Sequence, residues 1–496
     1  MARNWVRRFF GAVLLVFAGL SGVAGAAAAS GSGSGPGAPA NTWTGSPAKY
    51  VFLFIGDGMG AQQIRAAELY AMGGESFGLE GLSFTRFEGR GTCSTHPAGA
   101  PVTDSAAAAT ALASGYKTDN GVINMNPGRR RRFFSVADAA KASGMKVGVV
   151  SSVSVNQATP AAFYAFAPSR KDFYGIGTQL VESGVDYFGG GGFHRHRGRN
   201  KDKKSLYDMA AERGIAVLRD RKVILDRRPG EGRVFAVSPV LDATGSMPYA
   251  IDGDEEGLSL AAAMRKGIEL LDNPRGFFMH VEGGKIDWAC HANDAATAVW
   301  DILAFDEAVR EALRFAAGRP EETLIVVTGD HETGGMRVDV PEAEAGAFFR
   351  RLSAQKESHQ AFERKIAACR RTKQSFKEFL PVVIESFGLR DLSASELREL
   401  ERAFRLSMTP RKKRPKDKAF LRLYGGYEPL AVVALRLSNG RAGVGWSTFF
   451  HTGSPLPVHA HGVGAALFDG RYDNTDVAWK LFSIMGLRPK EPVEAE

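Results

Sequence analysis

The chain has 496 residues, of which 44% are hydrophobic and 24% are charged, so it can bury a large core and is not a disordered protein. Its three cysteines lack metal-finger spacing and exclude a disulfide framework, although one bridge could form and leave one thiol free. The net charge is +9, yet residues 350–422 alone hold 20 Lys and Arg against 9 Asp and Glu. The basic character therefore belongs to one segment and not to the whole chain.

The N-terminal residues 1–29 predict a secretory signal peptide. Arginines precede an apolar run at residues 9–20, and the alanines at 26–29 offer a cleavage site. The run is short for a membrane-spanning helix, and an uncleaved anchor is the alternative. The pair Arg7-Arg8 leaves both Sec and Tat export open. Residues 30–47 are rich in Gly, Ser, Ala and Pro and predict a flexible linker, so we expect a periplasmic or secreted protein.

The next two elements are a strand and a helix that begins at a serine. Residues 50–55 in KYVFLFIGDGMG predict a buried strand that ends just before Asp57. The stretch PVTDSAAAAT predicts a helix from near Ser105 to Gly115. Unpaired N–H groups at that helix end suit a capping hydroxyl and equally suit an anion such as phosphate. This stretch alone does not decide between an Asp-Ser cap and an anion site.

Three more apolar runs predict strands that lead into polar residues. They are MKVGVVSS, which follows a predicted helix at 135–143, then GFFMHVEGG and TLIVVTGDHETGG. Such runs separated by helices are typical of an α/β fold with a central, mostly parallel sheet sandwiched by helices. Ligands bind beyond the carboxyl ends of such strands, so we expect the polar residues that follow the strands to meet at one rim. These residues are Asp57, Thr159, Glu282, Asp330 and His331.

The segment VEGGKIDWACHAND adds candidate metal ligands. Asp287 and His291 are four residues apart in a predicted helix, so they can grip one ion or simply form a surface pair. The run FFHTGSPLPV brings His451 after another short apolar stretch. Oxygen and imidazole ligands without thiolate favour zinc or a similar ion, whereas oxygen ligands alone favour magnesium.

Taken together, these motifs resemble the alkaline phosphatase family. The matching stretches occur in the family's order as IGDGMG, VTDSA, ATPAA with SRK, VEGGKID, TGDHETGG and HTG. They lie within residues 48–340 and 441–485. The resemblance implies a catalytic domain over 48–340 and 441–496, interrupted at 341–440 by a basic, mainly helical insertion that is similar to a crown or cap.

The resemblance also implies an activity and a role for each site residue. Ser105 would be the nucleophile, Arg170 would clamp the phosphate, and Asp104 would orient Arg170. The implied ligand sets are Asp287, His291 and His451 for one zinc, Asp57, Asp330, His331 and Ser105 for a second zinc, and Asp57, Thr159 and Glu282 for a magnesium. Metal coordination activates a serine hydroxyl, and two cations stabilise both oxygens of an in-line displacement. The implied reaction is hydrolysis of phosphate monoesters through a phosphoserine.

Two positions and one segment leave details open. Gln157 and Trp288 depart from the residues that are frequent in the family beside the magnesium site, so the ion at this third site is open. The basic insertion contains PRKKRPKDK and is either a solvated cap or a surface that weakly attracts polyanions or envelope lipid phosphates. We expect no specific nucleic acid partner, and a homodimer is the family expectation.

Other functions compete with this interpretation. A phosphodiesterase of the same superfamily fits the metal set, although Arg170 as a fork for two non-bridging oxygens favours monoesters. Sulfatases need a Cys or Ser followed by x-Pro-x-Arg, and the alanines after Ser105 exclude that pattern. A basic anion-binding envelope protein with a vestigial site is the remaining alternative, against which the complete ligand set argues.

Overall fold

The computed structural model describes residues 42–74, 81–253 and 255–495. The predicted signal peptide and most of the predicted linker, residues 1–41, lie outside the described residues. Within the described ranges, no helix combines the length and the apolar character that a membrane span requires. All three cysteines are free and buried, so the bridge that the sequence allowed does not form.

Strands and helices alternate along much of the chain. In chain order the strands are β1 Tyr50–Gly56, β2 Gly89–Ser94, β3 Arg131–Arg132, β4 Lys146–Ser151, β5 Tyr187–Gly190, β6 Ala216–Leu218, β7 Val234–Val237, β8 Phe277–Glu282, β9 Thr323–Gly329, β10 Glu332–Thr333, β11 Met336–Val338, β12 Val444–Trp446, β13 His451–Thr452, β14 Leu456–Gly462, β15 Gly470–Asp473 and β16 Val493–Glu494. The α-helices are α1 Ala61–Gly73, α2 Ser105–Ser114, α3 Val136–Ala142, α4 Ala158–Ala161, α5 Phe173–Glu182, α6 Leu206–Glu212, α7 Arg221–Asp226, α8 Leu260–Leu271, α9 Lys285–His291, α10 Ala295–Ala317, α11 Ala345–Leu352, α12 His359–Thr372, α13 Phe376–Phe387, α14 Ala394–Met408, α15 Lys418–Tyr424, α16 Pro429–Arg441 and α17 Thr475–Ile484.

In the described part of the chain, ten strands form one central sheet in the order β15-β2-β14-β9-β1-β8-β4-β5-β7-β6. The strands from β9 to β6 are all parallel to their neighbours. Strand β14 is antiparallel to both β9 and β2, while β15 runs parallel to β2. The prediction of an α/β fold with a mostly parallel central sheet is therefore confirmed.

Strand β1 shows why the apolar runs could be identified. Val51, Leu53 and Ile55 pack into one hydrophobic core, and Phe52 and Phe54 pack into a second core. Because successive side chains point to opposite faces, a strand that is covered on both faces is apolar at every position. The two cores lie between the sheet and its covering helices, as the predicted sandwich requires.

The segment between β11 and β12 is mainly helical. It contains α11 to α16, and α12 to α14 each begin after a serine whose hydroxyl accepts a backbone N–H. Most of these helices pack around a third apolar cluster that includes Phe362, Phe379 and Phe404. The described residues all belong to one compact unit, so the domain limits at 340 and 441 stay a prediction.

Candidate active site

Three parallel strands bring the predicted acidic residues to one rim. Asp57 follows β1, Glu282 ends β8, and Asp330 follows β9. The register sets Ile55 beside Glu282 and Gly56 beside Gly329, so the three carboxylates leave the sheet at the same level. All three side chains are buried. Parallel pairing therefore produces a cluster of carboxylates from residues that are far apart in sequence.

Asp287, His291 and His451 meet as a first group beside this rim. Helix α9 places Asp287 and His291 on one face, with Nε2 of the histidine 3.4 Å from Oδ1 of the aspartate. Strand β13 pairs with β10 and brings His451 Nε2 to 3.0 Å from His291 Nε2 and 3.7 Å from Asp287 Oδ1. The structure thus brings together all three side chains that were predicted to share one ion.

A second group consists of Asp57, Asp330 and His331. Nε2 of His331 lies 3.4 Å from Asp57 Oδ1 and 3.3 Å from Asp330 Oδ2. The hydroxyl of Ser105 lies 3.1 Å from the same nitrogen. The two groups adjoin, since the rings of His331 and His451 stack with centroids 3.6 Å apart. Ser105 therefore lies where the sequence placed it, against the second ligand set.

Thr159 and Glu282, the other two predicted ligands, lie near Asp57. Thr159 donates a hydrogen bond of 3.3 Å to Asp57 Oδ2, and Glu282 accepts one from Ser151. The prediction that Thr159 lies at a strand end is wrong. Strand β4 ends at Ser151, and Thr159 lies in the short helix α4. A loop and one turn of helix carry its hydroxyl back to the rim. Ser151 is the residue at the strand end, and the sequence had not singled it out.

The charge of these carboxylates needs compensation. Burial raises the pKa of Glu282 to about 8 and that of Asp330 to about 7, and it raises the pKa of Asp57 well above its usual range. Asp57 Oδ1, Asp330 Oδ2 and Glu282 Oε1 accept no hydrogen bond from any described residue. Buried anionic oxygens without donors are costly unless a cation binds them. The donor set therefore fits divalent ions.

The histidine rings are oriented as metal ligands require. Nδ1 of His291 lies 2.6 Å from the carbonyl of Phe449, and Nδ1 of His451 lies 2.9 Å from the carbonyl of Thr103. A carbonyl accepts an N–H, so the proton of each ring is on Nδ1 and the lone pair of Nε2 faces the cluster. Burial and the neighbouring His451 hold the pKa of His331 well below its usual range, so this ring is neutral.

The N-terminus of α2 shows how the alanine-rich stretch serves the site. The helix begins at Ser105 and ends before Gly115, whose φ of 79° is left-handed, so the predicted bounds are confirmed. Asp104 is the cap, since its Oδ1 accepts the N–H of Ala107 at 3.1 Å. Its Oδ2 accepts Arg170 Nη1 at 3.0 Å. One carboxylate thus caps the helix and orients the arginine, which leaves the Ser105 hydroxyl turned toward His331.

Several supporting residues could not be singled out from the sequence. Thr333 donates a hydrogen bond of 2.6 Å to Asp287 Oδ1. Glu332 accepts hydrogen bonds from Gln63 and Thr452, which ties β10 to the strand that bears His451. Gly58 has a φ of +73°, and a Cβ there would lie 2.8 Å from Asp287 Cα. They lie in or beside the quoted motifs, but only the packed structure shows their contacts.

The two positions that depart from the family pattern lie near this centre. Gln157 is the residue before α4, and its side chain makes no capping hydrogen bond. Trp288 packs with its ring centroid 4.8 Å from Nζ of the buried Lys285. Neither residue belongs to the two groups that contain histidine.

Comparisons with known proteins agree with the fold and show the family. The family model for alkaline phosphatase matches residues 48–487. Alkaline phosphatase 4 of Bacillus subtilis (strain 168) is 29% identical over 446 residues, which cover 88% of each chain. The crystal structure of a cold-active alkaline phosphatase from Shewanella sp. is 30% identical, with a TM-score of 0.72 over 88% of this chain and 99% of that one. The alkaline phosphatase of Thermus thermophilus is 27% identical, with a TM-score of 0.76 over 90% of this chain and 93% of that one.

Fold and site together define a phosphatase with residue groups able to hold metal ions. The chain belongs to the alkaline phosphatase family.

Proposed function

We propose that the protein is a periplasmic or secreted, metal-dependent phosphomonoesterase that forms a phosphoserine at Ser105 and releases inorganic phosphate. The observation that carries this proposal is the position of the Ser105 hydroxyl, 3.1 Å from His331 and at the N-terminus of α2. A helix N-terminus binds anions, and the adjoining ligand groups would also attract anions once they hold metal ions. The phosphoryl group of a substrate is therefore drawn to the serine.

The metal set that fits the site is two zinc ions and one magnesium ion. The residues that would hold them are Asp287, His291 and His451 for one zinc, Asp57, Asp330, His331 and Ser105 for the other, and Asp57, Thr159 and Glu282 for the magnesium. When bound, such ions lower the pKa of a hydroxyl or a water and stabilise the charge on phosphoryl oxygens. Because the side chains of Gln157 and Trp288 are neutral, the identity of the third ion is the least determined of the three.

The side chains then divide the reaction between them. Oγ of Ser105 attacks phosphorus as the bond from phosphorus to the alcohol oxygen breaks, and the alcohol leaves with a proton. Arg170 donates two parallel hydrogen bonds to non-bridging oxygens, a geometry that its planar fork allows and that Lys lacks. Oδ2 of Asp104 lies 3.0 Å from Nη1 of Arg170 and holds the guanidinium in place. Water then cleaves the phosphoserine, and Ser105 regains its proton. A monoester has three non-bridging oxygens, so the fork can take two and one remains for the ligand groups, whereas a diester has only two in all. For this reason we favour monoesters over diesters.

The setting of the enzyme is part of the proposal. The predicted signal at residues 1–29 supports export, and family membership supports a homodimer. The excess of Lys and Arg in residues 350–422 supports a weak attraction of polyanions or envelope lipid phosphates.

Ser105→Ala tests the proposal. We expect turnover of a small monoester to fall by about three orders of magnitude or more, while zinc content by elemental analysis stays near normal. Ser114→Ala is the matched control, because Ser114 is a buried serine of the same helix whose hydroxyl donates to the carbonyl of Thr110 and accepts the N–H of Tyr116, neither of which is a site residue. Native-like turnover in Ser105→Ala would remove the nucleophile. A wild-type rate that is higher on a diester than on a monoester would favour the diesterase alternative.

A further inference from the structure

A groove of about 710 Å³ adjoins the candidate site on the side of the insertion. We call it the insertion groove; one wall comes from α14 to α16 and the other from residues 444–450. Phe449 lines it, and the carbonyl of this residue accepts the hydrogen bond from His291. Phe450 also lines it and directly precedes His451. The same short segment therefore lines one wall of the groove, carries His451 and contacts His291.

The insertion groove has an excess of positive charge. Arg402, Lys418 and Arg422 line it and are exposed, and among the described residues none of them has an ion-pair partner. The acidic residue in the lining, Glu399, is paired with Arg436. Cations that face a concave surface without partners attract and concentrate anions.

The same groove also exposes apolar surface. Leu421, Leu423 and Phe450 are 43%, 62% and 65% exposed, and they are three of the five large hydrophobic residues exposed in the described ranges. Clustered exposed apolar side chains indicate a binding surface more often than scattered ones do. Apolar walls between unpaired cations match a ligand that is itself both apolar and anionic.

The geometry of the proposed reaction directs one part of the substrate to this groove. In an in-line displacement the leaving oxygen departs on the side opposite the nucleophile. Ser105 lies against His331 in the second ligand group, so the alcohol leaves on the side of the first group, Asp287, His291 and His451. His291 is 25% exposed there and is held by Phe449, which lines the groove.

We infer that the insertion groove binds the alcohol part of the phosphate monoester. Preferred substrates carry an apolar or aromatic part and a second negative charge in that alcohol; this inference rests on the proposed function. A second copy of the chain is the less suitable occupant, because a two-fold contact through this surface would face the same cations toward each other.

The test compares two substrates in three metal-loaded, full-length proteins. The substrates are 1-naphthyl phosphate and a naphthyl phosphate that bears a ring sulfonate. The groove variant combines Arg402→Ser, Lys418→Ser and Arg422→Ser. The control combines Lys412→Ser, Lys413→Ser and Lys416→Ser, which removes the same charge from exposed positions of the insertion outside the groove lining. Dividing the two kcat/KM values within each protein, and then comparing proteins, cancels differences in leaving-group chemistry.

We expect kcat/KM for the sulfonated substrate, divided by kcat/KM for 1-naphthyl phosphate, to fall about tenfold in the groove variant, because three exposed charge contacts are lost. The same quotient should change less than about twofold in the control. A variant with Leu421→Ser and Leu423→Ser should instead lower the preference for naphthyl over methyl phosphate by about fivefold.

Equal ratios in all three proteins would overturn the inference. An unchanged ratio together with a changed oligomeric state in sedimentation would also overturn it and would make the groove an interface between copies. Absence of turnover of 1-naphthyl phosphate by the wild-type protein would count against the proposed function and not against the groove.

Discussion

Replacing Asp104 with asparagine separates two tasks that one carboxylate combines. Oδ1 caps α2 through Ala107 at 3.1 Å, whereas Oδ2 accepts the N–H of Gly121 at 3.0 Å and Nη1 of Arg170 at 3.0 Å. Asparagine is as good a cap as aspartate, so its oxygen can keep the first contact. Its NH₂ group then faces two donors and loses both other hydrogen bonds. Because these groups are partly exposed, we expect a loss of about 2 kcal/mol in the free energy of unfolding.

Asp104→Asn has two opposing effects on phosphate binding, one from the lost charge and one from the lost contact to Arg170. Removing a negative charge beside the anion would tighten phosphate binding if charge alone mattered. Loss of the contact that fixes Arg170 should weaken it, and we expect the inhibition constant of inorganic phosphate to rise about tenfold, or about 1.4 kcal/mol. Asp104→Ala should weaken phosphate binding similarly and cost about 1 kcal/mol more in stability, because the cap is lost as well. The assays are urea unfolding and product inhibition. Native or tighter phosphate inhibition in Asp104→Asn would refute the orienting role.

Two further predictions concern pH. Chelation of the metals should lower Tm more at about pH 9 than at about pH 6. The pKa values of Glu282 (about 8) and Asp330 (about 7) are raised in the fold, so these groups lose their protons between the two pH values and their charge destabilises the metal-free fold. A difference in Tm between loaded and chelated protein that does not grow with pH would contradict this. Burial lowers the pKa of His280 from 6.5 to about 3, so below pH 6.5 the unfolded chain gains a proton that the fold excludes, and stability falls as pH falls. His280→Leu should therefore lose about 2 kcal/mol less unfolding free energy between about pH 7.5 and pH 5 than the wild type does; equal losses in urea unfolding would show that His280 does not carry this effect.

Local patterns predicted the elements that build the rim. The strand β1, the helix α2 with its glycine end, and the pairing of Asp287 with His291 on α9 all follow from periodicity and caps within short windows. Such windows contain the spacing of 3.6 or 2 residues that decides which side chains share a face. For this reason the type of all three elements could be predicted, and for β1 and α2 their ends as well.

Contacts between distant segments could not be predicted in the same way. Thr159 was expected at a strand end, but the chain runs past Ser151 and returns through α4. Ser151 and Glu332 carried no signal, because serine and glutamate are common in loops and at the ends of strands that hold no ligand. The insertion groove is a further case, since its apolar and cationic residues come from two segments that no short window contains.

The sequence by itself determined the parallel strands, the ligand types and their order along the chain, because hydrophobic period and side-chain chemistry are local properties. The tertiary structure decided that Asp57, Glu282 and Asp330 share one buried rim and that the insertion forms a groove beside His291. These outcomes depend on strand register and on packing between segments hundreds of residues apart. Only the folded chain fixes those distances.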